Sequence, residues 1–351
     1  MSSSWLIIGG QILGPYEYYF KEALEKRGHH VDYMNAAEIE IELRKNFNRI
    51  SRIIRYNFYI DPALARIYRE YNEYVFDTFM KMKYDVVFIY NDANVFPDTI
   101  KRMQRQGARV VLLLADDPMF VRERHWFFQD VIEADHVFVH DVEWTGWMHM
   151  MDQKNVHHLI GGSSPSVFYP VSPTEDEQRK LGADLLFVGR NYGLNADGLY
   201  RGGILNALLE FDIKIFSSSG WNGVFAYYPE LERRITPRSL TLQELNAAHS
   251  ACRISVALSN WGIRTGLFTR IFDVSLSGGF ALAEYRRGID EAYPGGLITQ
   301  FKSLSELREM VRYYLDHEEE RKSRAEAARA YTIENYTVDR LAEQIATTVL
   351  H

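Results

Sequence analysis

The stretch Ile254–Tyr285, ISVALSNWGIRTGLFTRIFDVSLSGGFALAEY, decides how this chain is read. It runs as an apolar strand, a turn flanked by Gly262 and Gly266 that carries Asn260 and Arg264, and a helical segment over Thr265–Ser277 with Arg270 and Asp273. Gly278-Gly279 and a second strand over Phe280–Ala283 follow. A strand that enters a helix through a glycine-permitted turn leaves the first helical N–H groups without intrahelical acceptors, and these attract an anion. Arg264 adds a cationic fork at that point. Asp273 lies about two turns further along, ~10 Å by helical rise, and a carboxylate accepts from two neighbouring hydroxyls at once. Taken singly, each of these charges reads as a solvated helix residue. The ordered set predicts a pocket for a phosphorylated, hydroxyl-rich ligand.

Around this stretch the same alternation repeats. Expected strands at Leu185–Val188, Ile213–Phe216 and Ile254–Leu258 are separated by expected helices at Arg201–Phe211 and Leu242–His249. The N-terminal half alternates in the same way, with strands expected at Trp5–Ile8, Val31–Met34, Val86–Tyr90, Val110–Leu114, His136–Val139 and Val156–Ile160. Short apolar runs between longer amphipathic ones are the trace of parallel sheets with crossover helices. The Gly, Ser and Pro residues of Gly161–Pro173 read as a linker between two α/β domains. The expected domains are residues 1–165 and 166–336, with residues 337–351 packing back on the first.

Composition agrees with two cores: 351 residues exceed what one core supports, and 46% are hydrophobic. A net charge of -7 argues against a general nucleic-acid surface. The single cysteine, Cys252, excludes an intrachain disulfide and a cysteine-built zinc site. No apolar run is long enough to span a bilayer, and Met1–Gly10 lacks the pattern of a signal peptide, so the expected location is cytoplasmic.

Four segments carry a resemblance. They are VVLLLADDPMF around Asp116-Asp117, the linker IGGSSPSVFYPV, LLFVGRNYG opening the second half, and TRIFDVSLSGGFALAEYRRGIDEAY followed by LSELREMVRYYLDHEEERKSRAEAARAY. In order and spacing the chain resembles GT-B glycosyltransferases, and within them the CgeB-like (spore-maturation type) proteins related to group 1 glycosyltransferases. The resemblance implies two Rossmann-like domains facing across a cleft, a nucleoside diphosphate sugar as donor with a UDP-sugar expected first, and no cofactor or metal. It places the donor ribose on Asp273 with Arg270 beside it. The donor diphosphate falls near Gly189, Arg190 and Arg201, with Asn260, Arg264, Gly278 and Gly279 completing the donor side. Where many relatives carry Glu at both ends of an eight-residue spacing, this chain has Thr265 and Asp273. Retention or inversion of the sugar configuration therefore stays open.

On the first domain, Gly10 and Gly14 follow the first strand and allow a ligand close to the backbone, although GGQILG does not make the dinucleotide fingerprint. Strand ends are the place for a general base, which singles out Asp117 or Asp116, then Asp92, as base or acceptor-orienting group; turn capping is the competing role for each. His136 and His140 are roughly 13 Å apart on a strand and cannot share an ion, and His125 is a weaker candidate base. The stripe Tyr68, Tyr71, Val75 and Phe79 reads as core, with an acceptor groove as the minor reading. The expected activity is glycosyl transfer to an acceptor that the sequence does not identify. The alternatives are a sugar-nucleotide epimerase, a phosphorylase, or a non-catalytic nucleotide-sugar-binding protein.

Overall fold

The computed structural model describes residues 2–10, 16–45, 62–91, 93–117 and 126–351. It divides into two compact units, one formed by Met1–Leu159 with Val338–His351 and the other by Ile160–Thr337. Gly161–Pro173, read above as the linker, belongs to the second unit.

The first unit holds a parallel sheet of six strands, β1 (Ser4–Gly9), β2 (His30–Asn35), β3 (Val86–Tyr90), β4 (Arg109–Leu114), β5 (His136–Val139) and β6 (Val156–His158), in the order β2-β1-β3-β4-β5-β6. Its four inner strands, β1, β3, β4 and β5, are apolar at successive positions because both faces are covered. Trp5, Ile7, Phe88 and Leu113 face a core completed by the helices Tyr16–Lys26 and Val338–Leu350, through Phe20, Leu24, Leu341 and Ile345. Leu6, Ile8, Ile89 and Leu112, on the other face, are equally buried. Tyr68, Tyr71, Val75 and Phe79 on the helix Pro62–Met82 are all buried, so this stripe is core.

The second unit repeats the plan with β7 (Leu185–Val188), β8 (Ile213–Phe216), β9 (Ile235–Thr236), β10 (Ile254–Ala257), β11 (Ala281–Glu284) and β12 (Thr299–Phe301), ordered β12-β11-β10-β7-β8-β9 and parallel throughout. Ile254, Val256 and Leu258 pack into one core with Leu185, Ile204 and Leu307. Ala257 faces the other way, onto Ile271, Phe272 and Val274.

Two helices start elsewhere than expected. The one that carries Asp273 begins at Arg270, not Thr265, because the Thr265 carbonyl accepts the Gly288 N–H at 2.7 Å instead of opening a helical ladder. The one that carries Arg201 begins five residues early, at Ala196, where Asn195 Oδ1 accepts the Gly198 N–H at 2.8 Å. An Asx cap satisfies an otherwise unpaired helical donor and fixes the start.

Candidate functional site

In each sheet the strand order reverses once, and ligands of open α/β sheets bind outside the strand C-termini at that reversal. In the second unit it lies between β7 and β10. Gly189, Arg190 and Asn191 leave β7 there, and Ser259, Asn260 and Arg264 leave β10.

One buried side chain ties these two loops together. Arg201, 5% exposed, donates to the Arg190 carbonyl at 2.5 Å and to the Ser259 carbonyl at 2.8 Å. Its guanidinium is thereby committed to backbone. Arg190 and Arg264 are exposed on the loops themselves. The β7 loop is further fixed by Gly189 N–H on the Phe216 carbonyl at 3.1 Å, Asn191 N–H on that of Ser219 at 3.0 Å and Gly193 N–H on that of Gly220 at 2.9 Å. Gly220 has φ +86, and a Cβ there would stand 1.8 Å from the Asn191 carbonyl oxygen. In the β10 loop, Asn260 Oδ1 accepts the Ile263 N–H at 3.0 Å, turning the chain toward Arg264.

Asp273 sits in the first turn of its helix rather than two turns beyond Arg264. It is 8% exposed. Its Oδ1 accepts the Ser163 hydroxyl at 2.7 Å, and Arg270 lies 3.4 Å from Oδ2. Burial raises its pKa, against which Arg270 and the Ser163 hydroxyl pull it down. Gly278 and Gly279 stand apart from this group. They close the C-terminus of the same helix, Gly278 at φ +74, with N–H bonds to the Ser275 and Val274 carbonyls at 3.0 Å each. A crossover helix runs antiparallel to its strands, so that end lies at the opposite edge of the sheet from the loops after β7 and β10.

In the first unit the reversal falls between β1 and β3. Gly10 follows β1 with its Cα against Ala37, whose N would lie 2.8 Å from a Cβ. Gly14, Asp92 and His125 lie outside the described residues. Beyond β3, Asn91 at φ 52 clasps the end of β4: its Oδ1 accepts the Ala115 N–H at 2.8 Å and its Nδ2 donates to Asp116 Oδ2 at 3.2 Å. Asp116 is exposed and Asp117 buried. The asparagine clasp went unforeseen, and so did Glu17. Fully buried in the first helical turn, Glu17 packs its carboxylate against Gly9. Burial raises its pKa, and its own N–H and that of Gly10 oppose the rise. Its sequence signal was an acid at the start of an expected helix seven residues past Gly10, which also reads as a helix-dipole residue.

His136 and His157 meet across β5 and β6 with Nδ1 and Nε2 3.2 Å apart, a pairing set by strand register that the spacing of either one along the chain does not show. Among the described residues no group of three His, Cys, Asp or Glu side chains is arranged to hold a metal. No helix among them is long and apolar enough to cross a membrane.

Comparison with solved structures matches this architecture over nearly the whole chain. Sucrose-phosphate synthase from Thermosynechococcus elongatus superposes with a TM-score of 0.68 at 12% identity, covering 99% of this chain and 98% of that one. The fold is that of the GT-B glycosyltransferases. A trehalose-phosphate synthase from Burkholderia xenovorans gives a TM-score of 0.67 at 13% identity over 100% and 99% of the two chains. Anabaena HepE gives 0.62 at 13% over the full length of both. In addition, residues 201–347 match the family model described as glycosyl transferase-like. No curated protein sequence matches the chain. The matched segment opens at Arg201 and takes in Asn260, Arg264 and Asp273, so the GT-B likeness and the family match overlap on the β10 side of the second unit's crevice.

Proposed function

We propose that the chain is a metal-independent glycosyltransferase of the CgeB-like type, acting in the cytoplasm. The second unit binds a nucleoside diphosphate sugar, a UDP-sugar first among them, and the first unit holds the acceptor. The observation that carries this reading is the convergence of Arg190, Asn260 and Arg264 on the two loops that leave the sheet at its reversal, inside or beside the glycosyl transferase-like segment. Arg190 and Arg264 would face the donor diphosphate, where a fixed cation stabilises the charge that develops on the leaving group. Asp273 would accept from the ribose hydroxyls once the Ser163 hydroxyl shares or yields its place. Asp117 or Asp116 would orient the acceptor hydroxyl or take its proton.

The fold neighbours support the choice of donor. HepE is described in complex with UDP and glucose, the Burkholderia enzyme as UDP-forming, and an Escherichia coli neighbour as bound with UDP-2-fluoro glucose. The test incubates the protein with a panel of UDP-, GDP-, ADP- and TDP-sugars without acceptor and measures free nucleotide. Slow release of UDP from one sugar nucleotide is the expected result. Thermal stabilisation without release identifies a binding protein, and donor conversion with no free nucleotide identifies an epimerase.

A further inference from the structure

Four charged side chains surround the backbone of the loop that leaves β10. Arg201 donates to the Ser259 carbonyl at 2.8 Å. Asp197 Oδ2 faces the Trp261 N–H at 3.4 Å. Arg286 donates from Nε to the Ile263 carbonyl at 3.2 Å and forms an ion pair with Glu284. Glu284, at the end of β11, is 2% exposed. Burial raises its pKa, while Arg286, Arg201 and the Ser259 N–H lower it. One residue further along the loop from Arg264, the Thr265 carbonyl is held by the Gly288 N–H at 2.7 Å. Arg264 therefore sits between two fixed points, Ile263 and Thr265, both supplied by residues 286–288.

Two arginines and two acids balance, so the group carries no net charge with which to attract a phosphate. Arg201 and Glu284 are buried, and buried charge is an expensive way to gain stability, since well-packed apolar residues of the same volume often serve as well. What ionic groups supply and apolar ones do not is direction: each points a particular peptide of the loop. We infer that Glu284, Arg286, Arg201 and Asp197 form a positioning network that fixes the Ser259–Thr265 loop so that the Arg264 guanidinium is aimed at the donor diphosphate. The inference rests on the donor reading above. Arg286 acts through the loop and touches no ligand, and Glu284 holds Arg286 in turn.

The experiment is calorimetric titration of the full chain with UDP, together with thermal melting, on Arg286→Met, Arg286→Lys, Glu284→Gln, Arg264→Ala and the Arg264→Ala/Arg286→Met double variant. Arg286→Met is expected to weaken UDP about tenfold, and Arg286→Lys to recover part of the loss with its remaining donor. Residues that act as one unit are non-additive, so the double variant should lose no more than Arg264→Ala alone. Should Arg286→Met fail to fold, Glu284→Gln, which keeps size and one acceptor oxygen and removes the charge, carries the same expectation of weaker UDP binding and the same cycle with Arg264→Ala. Additive losses in the cycle, or native UDP affinity in folded network variants, overturn the inference and leave the donor reading standing. If the wild-type protein binds no nucleoside diphosphate, both fall.

Discussion

The Ser163 hydroxyl donates to Asp273 Oδ1 at 2.7 Å, joining the segment that opens the second unit to the first turn of the helix behind the β10 loop. The acid expected to hold ribose is thus already engaged by protein on one oxygen, with Arg270 3.4 Å from the other. Asp273→Ala is predicted to weaken UDP about tenfold, the scale of one lost charge-assisted hydrogen bond. The sharper measurement compares UDP with its 2′,3′-dideoxy analogue. Wild type should prefer UDP, and Asp273→Ala should bind the two alike. Equal preference in both proteins removes the ribose role.

Asp117→Ala is predicted to lower kcat with donor affinity kept, because Asp117 belongs to the first unit and Arg190, Arg264 and Asp273 to the second. Once an acceptor is in hand, kcat and the UDP dissociation constant measured on one preparation decide it; a parallel loss of both argues for a turn-capping role.

Asp130 has both carboxylate oxygens buried with no hydrogen-bond partner among the described residues. Burial first, then Glu133, pushes its pKa up to about 9. Its folded pKa lies above the unfolded value, so the stability tied to its protonated form is complete below about pH 4 and declines as pH rises toward the folded pKa. Asp130→Asn removes that decline. The stability of the variant relative to wild type, measured by urea unfolding, should grow by about 1.4 kcal/mol per pH unit across this window.

The buried imidazole of His249 bonds Ser255 Oγ at 2.9 Å, and burial, helped by Arg270, holds its pKa well below the ordinary value. Here the unfolded chain binds the proton more readily. Stability from the neutral ring is full above about pH 6.5 and is lost as pH falls toward the depressed folded pKa. His249→Asn should flatten the acid side of the stability profile by about one proton's slope. An unchanged profile shifts the acid sensitivity to other groups, of which His140 is the other histidine buried among the described residues.

Gly220→Ala places a methyl group against the Asn191 carbonyl at a positive φ. A loss of about 2 kcal/mol or more is expected, with weaker UDP binding because the displaced peptide neighbours Arg190. Chemical denaturation and titration on the same variant measure both.

The sequence revealed the sheets because strands buried on both faces are apolar at every position, as in Val86–Tyr90 and Leu185–Val188, whose ends were read without error. Two-residue β9 and three-residue β12 gave too little pattern to see. Helix starts failed where a distant group set them: nothing local in GIRTGLFT announces that Gly288 will take the Thr265 carbonyl. Arg190, Asn260, Arg264 and Asp273 were legible as residue types in order along the chain. The cage of Arg201, Asp197, Glu284 and Arg286 was not, because it draws on the end of β11 and a helix that only the fold brings together around the β10 loop.

The return of Val338–Leu350 to the first unit has a consequence for how the protein is made. Leu341, Ile345 and Val349 fill the face that Trp5, Phe20 and Phe88 open, so the first unit stays unfinished until the segment Val338–Leu350 leaves the ribosome. The half encoded in the middle is contiguous and can fold while its neighbour waits.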